Sequence, residues 1–125
     1  MSDEDREETL YHGTTRDVAQ EILATRKFQQ QETYFAPTRA LAEFFAKRSN
    51  SKRAGHGPAV VRVVLYHTDL ELWKRNRLVT SKGFDEGDQP NLYGKTQLVF
   101  SAEAMRFLNR DMFAGDLTVE AVELK

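Results

Sequence analysis

The chain contains no cysteine, so disulfide frameworks, thiol nucleophiles and thiolate metal sites are all excluded; the absence fits a cytosolic protein. Histidine is scarce too. Only His12, His56 and His67 occur, and no two stand one helical turn apart beside a glutamate, so no dedicated metal site is expected. No apolar run approaches the roughly 18 residues of a membrane span, so no membrane helix is expected. The acidic opening Met1 to Glu8 lacks the apolar core of a secretory signal. Neither Gly-x-x-x-x-Gly-Lys nor Gly-x-Gly-x-x-Gly is present, which removes the two familiar phosphate-cradling loops, and no Gly-x-Ser-x-Gly elbow supports a serine hydrolase. A net charge of -1 argues against a protein held on nucleic acid by overall positive charge.

What is present is a globular mixture: 125 residues, 40% apolar and 30% charged, enough for one buried core. We expect an acidic solvated tail over 1–8 and a single domain over 9–125. Leu10 and Tyr11 have strand character, Gly13 allows a turn or a close approach, and Thr14 or Thr15 can cap a helix beginning near Arg16. Val18, Ala19, Ile22 and Leu23 carry that helix to about Thr25, and Asp17, three residues after Thr14, resembles the acid of a capping box. Thr33 to Ala36 reads as a strand ended by Pro37. Thr38 then caps a helix whose apolar face is Ala40, Leu41, Phe44 and Phe45, reaching about Arg48.

The run Pro58 to His67 is the strongest strand and is expected at the centre of a sheet. A helical turn is expected over Asp69 to Trp73, and a short edge strand at Leu78 and Val79. Thr96 to Phe100 reads as another strand, Ser101 caps a helix through Ala104, Met105 and Leu108, and Leu117 to Leu124 alternates as a closing strand. Short strands interleaved with helices predict a mixed α+β domain with a split or strongly bent sheet. Two polar stretches stand out. Lys47, Arg48, Lys52, Arg53 and His56 form a basic run that reads as a solvated loop or a phosphate contact. Ser81 to Asn91, with Asp85, Glu86 and Asp88, reads as a long surface loop.

An ordered set of motifs remains: Tyr11-His12-Gly13-Thr14 at a strand end, Tyr34-Phe35-Ala36 before a capped helix, Ala42-Glu43-Phe44-Phe45-Ala46 on that helix, and Gln97-Leu98-Val99-Phe100 opening a later strand. In order and spacing the set resembles the ADP-ribosyltransferase family, specifically its diphtheria-toxin and poly(ADP-ribose) polymerase branch with a His, Tyr, Glu signature. The resemblance implies a split α+β fold with short flanking helices and NAD as substrate, without a metal. It implies His12 on a ribose hydroxyl, Gly13 pairing through its backbone with the nicotinamide carboxamide, and Tyr34 stacked on the ring. Thr14 and Phe35 would contribute to the same site, and Arg16 would reach the diphosphate. The third position departs from the family, since Gln97 replaces Glu and its amide accepts a hydrogen bond but supplies no negative charge. Glu103 or an acid of the 85–88 loop is the alternative. The implied activity is transfer of ADP-ribose to a macromolecular acceptor, protein or nucleic acid, in the manner of a small bacterial toxin or effector. A non-catalytic NAD or ADP-ribose binding module and an NAD glycohydrolase are the competing readings.

Overall fold

The computed structural model describes residues 6–29, 31–52, 57–83, 96–115 and 117–122, with the backbone alone for 49–52. Its centre is the strand the apolar run foretold. β3 (Pro58–Tyr66) lies between β1 (Glu7–Thr15) and β6 (Thr118–Val122), antiparallel to both. Val61, Val63 and Leu65 point to one face of this sheet and are almost fully buried, while Val60 is buried on the other. A second antiparallel sheet sets β5 (Thr96–Phe100) between β2 (Thr33–Phe35) and β4 (Val79–Gly83). The described chain is therefore a mixed α+β structure of two three-stranded sheets with four helices.

The main core joins Val61, Val63 and Leu65 to Phe35, Val79 and Phe100 of the second sheet and to the apolar faces of α1 (Arg16–Thr25), α3 (His67–Arg75) and α4 (Ala102–Ala114). In α4, Ala104, Met105, Leu108 and Met112 recur at helical spacing and are all buried. Burying a side chain such as Leu108 contributes about 1.5–3 kcal/mol. The Ser101 hydroxyl accepts from the Ala104 N–H at 3.2 Å, and Gly115, at φ 82°, ends the helix in the left-handed conformation that glycine adopts without a Cβ penalty. α2 (Arg39–Lys52) covers the opposite face of the first sheet in a smaller cluster built on Ala36, Leu41, Ala42, Ala46 and Val60. Thr38 caps it as expected, accepting from the Leu41 N–H at 3.3 Å.

Several boundaries move for identifiable reasons. β1 starts at Glu7, inside the expected tail, because Glu7 and Glu8 continue the ladder with Tyr66 and Leu65, and the Glu8 carboxylate meets His67 Nδ1 at 2.7 Å. Thr15 is the N-cap of α1, yet its hydroxyl donates to the Asp17 carboxylate instead of receiving a helix N–H, so the expected capping arrangement is replaced. α3 is a nine-residue helix, not a single turn, with Leu70 and Trp73 buried beneath it. α2 runs past Arg48 because neither Gly nor Pro interrupts the sequence before Gly55. The acids of the 85–88 loop, together with Arg53 and His56, lie outside the described residues. Among the described residues, no helix is long and apolar enough to cross a membrane.

Candidate functional site

The two sheets meet at one point. Tyr11 and Ala36 form an isolated antiparallel bridge, with Tyr11 N–H donating to Ala36 O at 2.9 Å and Ala36 N–H to Tyr11 O at 2.7 Å. Continued by two residues, that register would set Gly13 opposite Tyr34, but no ladder forms there among the described residues, which leaves a gap in the pairing. Main-chain groups of alternate residues in a strand face the same edge. Since Tyr11 turns both of its groups toward β2, Gly13 turns its N–H and C=O toward the same gap.

His12 crosses this gap. Its Nδ1 lies 2.8 Å from the Tyr34 carbonyl oxygen, and because a carbonyl only accepts, Nδ1 carries the proton and donates. In the neutral ring Nε2 is then an acceptor. Neutrality is favoured by the surroundings. The ring packs against Phe28 and Phe35, each 5.7 Å away between centroids, and this desolvation holds the His12 pKa below its ordinary value, opposed in part by the bond to the Tyr34 carbonyl.

The pleat separates the expected partners. His12 shares its face of β1 with Leu10, on the side of Phe28 and Phe35. In β2 it is Phe35 that takes the core side, so the Tyr34 ring turns outward and remains 40% exposed. Tyr34 pairs with Val99, which puts Gln97, two residues away on β5, on the Tyr34 face as its diagonal neighbour. Tyr34 and Gln97 therefore share a face, whereas the His12 ring lies on the reverse side with Phe28 and Phe35 and meets Tyr34 at its carbonyl. The resemblance implies one site for all three side chains; the pleat leaves the His12 ring on the opposite face from the other two.

Four other expected positions are also revised. An added Cβ on Gly13 would stand 2.2 Å from Ala42 O and 2.7 Å from Ala46 N, so its missing side chain makes room for α2, not for a ligand. Phe35 is 1% exposed and packed between Phe28 and Phe100; it is core. Thr14 is buried as well. Arg16 donates its main-chain N–H to Gly57 O at 3.1 Å and lays its guanidinium beside Gly57, at the β3 side of β1 and away from the gap. Glu103 lines a groove with Trp73, Asn76 and Phe107 between α3 and α4, in which none of His12, Gly13, Tyr34 or Gln97 takes part.

The structure adds two charged neighbours that sequence reading passed over. The Tyr34 hydroxyl donates to Glu32 Oε1 at 3.2 Å, and Lys82 Nζ stands 5.6 Å from the Tyr34 ring centroid. Glu32 was legible in the two-residue period of a strand extended backward from Tyr34. Lys82 was not, because only the β4–β5 register, in which it faces Gln97, brings it there. Phe44 and Phe45 of α2 pack beside Tyr11 and Ala36, where the sequence showed only an apolar helix face. Among the described residues no group of histidine and carboxylate side chains is arranged to hold a metal ion. No family model matches the chain, and neither a curated protein nor a solved structure is significantly similar to it.

Proposed function

We propose that this chain is an NAD-dependent mono-ADP-ribosyltransferase with an ADP-ribosyltransferase-like split fold. The observation that supports the reading is the edge left without a ladder beside the Tyr11 and Ala36 bridge, where the strand alternation turns one donor and one acceptor of Gly13 into the same gap. A primary carboxamide such as that of nicotinamide needs this pairing. A ligand seated in the gap, not on either face, meets Gly13 at the edge, Tyr34 and Gln97 on one side and the His12 acceptor nitrogen on the other. His12 Nε2 then receives a ribose hydroxyl, the Tyr34 ring flanks the nicotinamide, and the Gln97 amide oxygen orients the hydroxyl next to the reacting carbon.

In the reaction the glycosidic C–N bond breaks with its electron pair passing to nicotinamide, which leaves neutral, and positive charge develops on the ribose. The acceptor nucleophile forms the new bond to that carbon and releases its proton to water. Gln97 cannot supply negative charge, and in this reading the Glu32 carboxylate, held by the Tyr34 hydroxyl, provides it from the same face. One observation favours a second reading, a binding module that leaves NAD intact: the residue nearest the expected acid is an amide, Gln97.

Incubation with NAD labelled in its adenylate half distinguishes these readings. Label on a macromolecule supports transfer, free ADP-ribose indicates hydrolysis, and unchanged but bound NAD indicates the module. Gln97→Ala and Glu32→Gln should each lower turnover, by about a hundredfold for a lost transition-state contact, while Gln97→Glu keeps or raises it. Full activity in all three variants would remove the Tyr34 face from the mechanism.

A further inference from the structure

We propose that the surface between the end of α1 and α4 is a binding groove for single-stranded nucleic acid. Arg106, Asn109, Arg110 and Phe113 fall at positions i, i+3, i+4 and i+7 of α4 and form one face of it. Arg26 and Lys27 stand opposite. Together they line a groove of about 480 Å³, which shares Lys27, Arg106 and Asn109 with an adjoining cleft of about 420 Å³. Among the described residues, four cations line the pair and no carboxylate does. In a chain of net charge -1, this surplus is local and not a product of composition.

Two of the cations are partly engaged: Arg26 donates to the Met112 carbonyl at 3.3 Å, and Arg110 lies over the Phe107 ring with Asp111 at 3.4 Å. Lys27 and Arg106 form no ion pair among the described residues and are placed where the two clefts join. Positive charge alone would suit any polyanion. The ring decides between them, because Phe113 is 81% exposed at the mouth of the groove, an apolar plane that an acidic peptide leaves bare and an unpaired base covers. A duplex, with its bases already stacked, has no use for it.

One groove residue also holds the ring that packs on His12. Asn109 clamps Phe28 from both sides, accepting from its N–H at 2.8 Å and donating to its carbonyl at 3.2 Å, and the Phe28 ring is the one packed on His12. A strand lying in the groove would run beside the segment that Asn109 holds, with the buried Phe28 ring between it and His12. Its role as the ADP-ribose acceptor rests on the transferase reading, whereas its binding does not.

The test is fluorescence anisotropy with a labelled single strand of about 12 nucleotides, against the same sequence as a duplex and against polyglutamate. The single strand should bind best. Phe113→Ala should weaken it roughly tenfold, as for loss of one stacked base. Replacing Lys27 and Arg106 by Gln should reduce the slope of log affinity against log salt by about 1.4, for two phosphate contacts at ~0.7 each. NAD turnover measured without any oligonucleotide should be unchanged by Phe113→Ala. Absence of strand binding overturns the proposal, as do variants that bind like the parent and polyglutamate binding as tightly as the strand. If NAD is never consumed but the strand binds with these dependences, the groove stands and the transferase reading falls.

Discussion

Adding one methyl group to Gly13 should unseat α2. In Gly13→Ala the new Cβ would lie 2.2 Å from Ala42 O and 2.7 Å from Ala46 N, where ordinary contact begins at 3.4 Å. Both obstacles are main-chain atoms, so no rotamer change relieves them, and the helix must retreat by about 1.2 Å. That retreat opens a gap beneath Leu41, Ala42 and Ala46, all at 2% exposure or less. A gap near 1 Å forfeits roughly a quarter to a half of each dispersion contact, and overpacking alone costs about 1–3 kcal/mol. We expect a loss of about 2–4 kcal/mol. With a urea slope of about 2 kcal/mol per molar, the middle of the usual range, the unfolding midpoint should fall by ~1–2 M. Trp73 is the single tryptophan, buried and stacked on Phe107, and its fluorescence reports the transition. Gly83→Ala is the control, because the nearest atom to its added Cβ is a Thr96 methyl at 4.0 Å. A Gly13→Ala midpoint within about 0.2 M of the parent would refute the packing argument.

His12 makes folding pH-dependent with a definite sign. Its folded pKa lies below the ordinary 6.5 because of desolvation, so the unfolded chain binds the proton first; stability is level above 6.5 and falls as pH drops below it, until the folded pKa is reached. The slope in that window is at most about 1.4 kcal/mol per pH unit, and His12→Asn should remove this component from urea midpoints measured across it; an unchanged profile would contradict the assignment. Asn109→Ala deletes both bonds to Phe28 and should cost about 1–3 kcal/mol, with faster hydrogen exchange at the Phe28 amide as the direct signature. Retained protection at that amide would show that another group holds the segment.

Much of the fold follows from patterns that are local. The near-continuous apolar run of β3, the spacing of Ala104, Met105, Leu108 and Met112, and the capping residues Thr38 and Ser101 each specify an element with little help from the rest of the chain. The resemblance to ADP-ribosyltransferases rested on motifs of this local kind. It could name His12, Tyr34 and Gln97, but it could not say which way each side chain points.

Direction came from partners distant in sequence. Phe28 and Phe35 claim the core face, and by the two-residue period of a strand this turns Tyr34 away from the His12 ring. α2 claims the space above Gly13, and the end of the Tyr11 and Ala36 bridge determines where the edge opens. Lys82 reaches Tyr34 through the pairing of β4 with β5, and the α4 face with Phe113 meets Arg26 and Lys27 where Asn109 holds Phe28 and Arg26 donates to the Met112 carbonyl. The sequence by itself determined the elements, their order and the residue types available for chemistry, because periodicity and capping act within a few residues. Tertiary structure alone decided which of those residues share a face, a gap or a groove, because strand register and helix docking are settled by contacts between segments far apart in the chain.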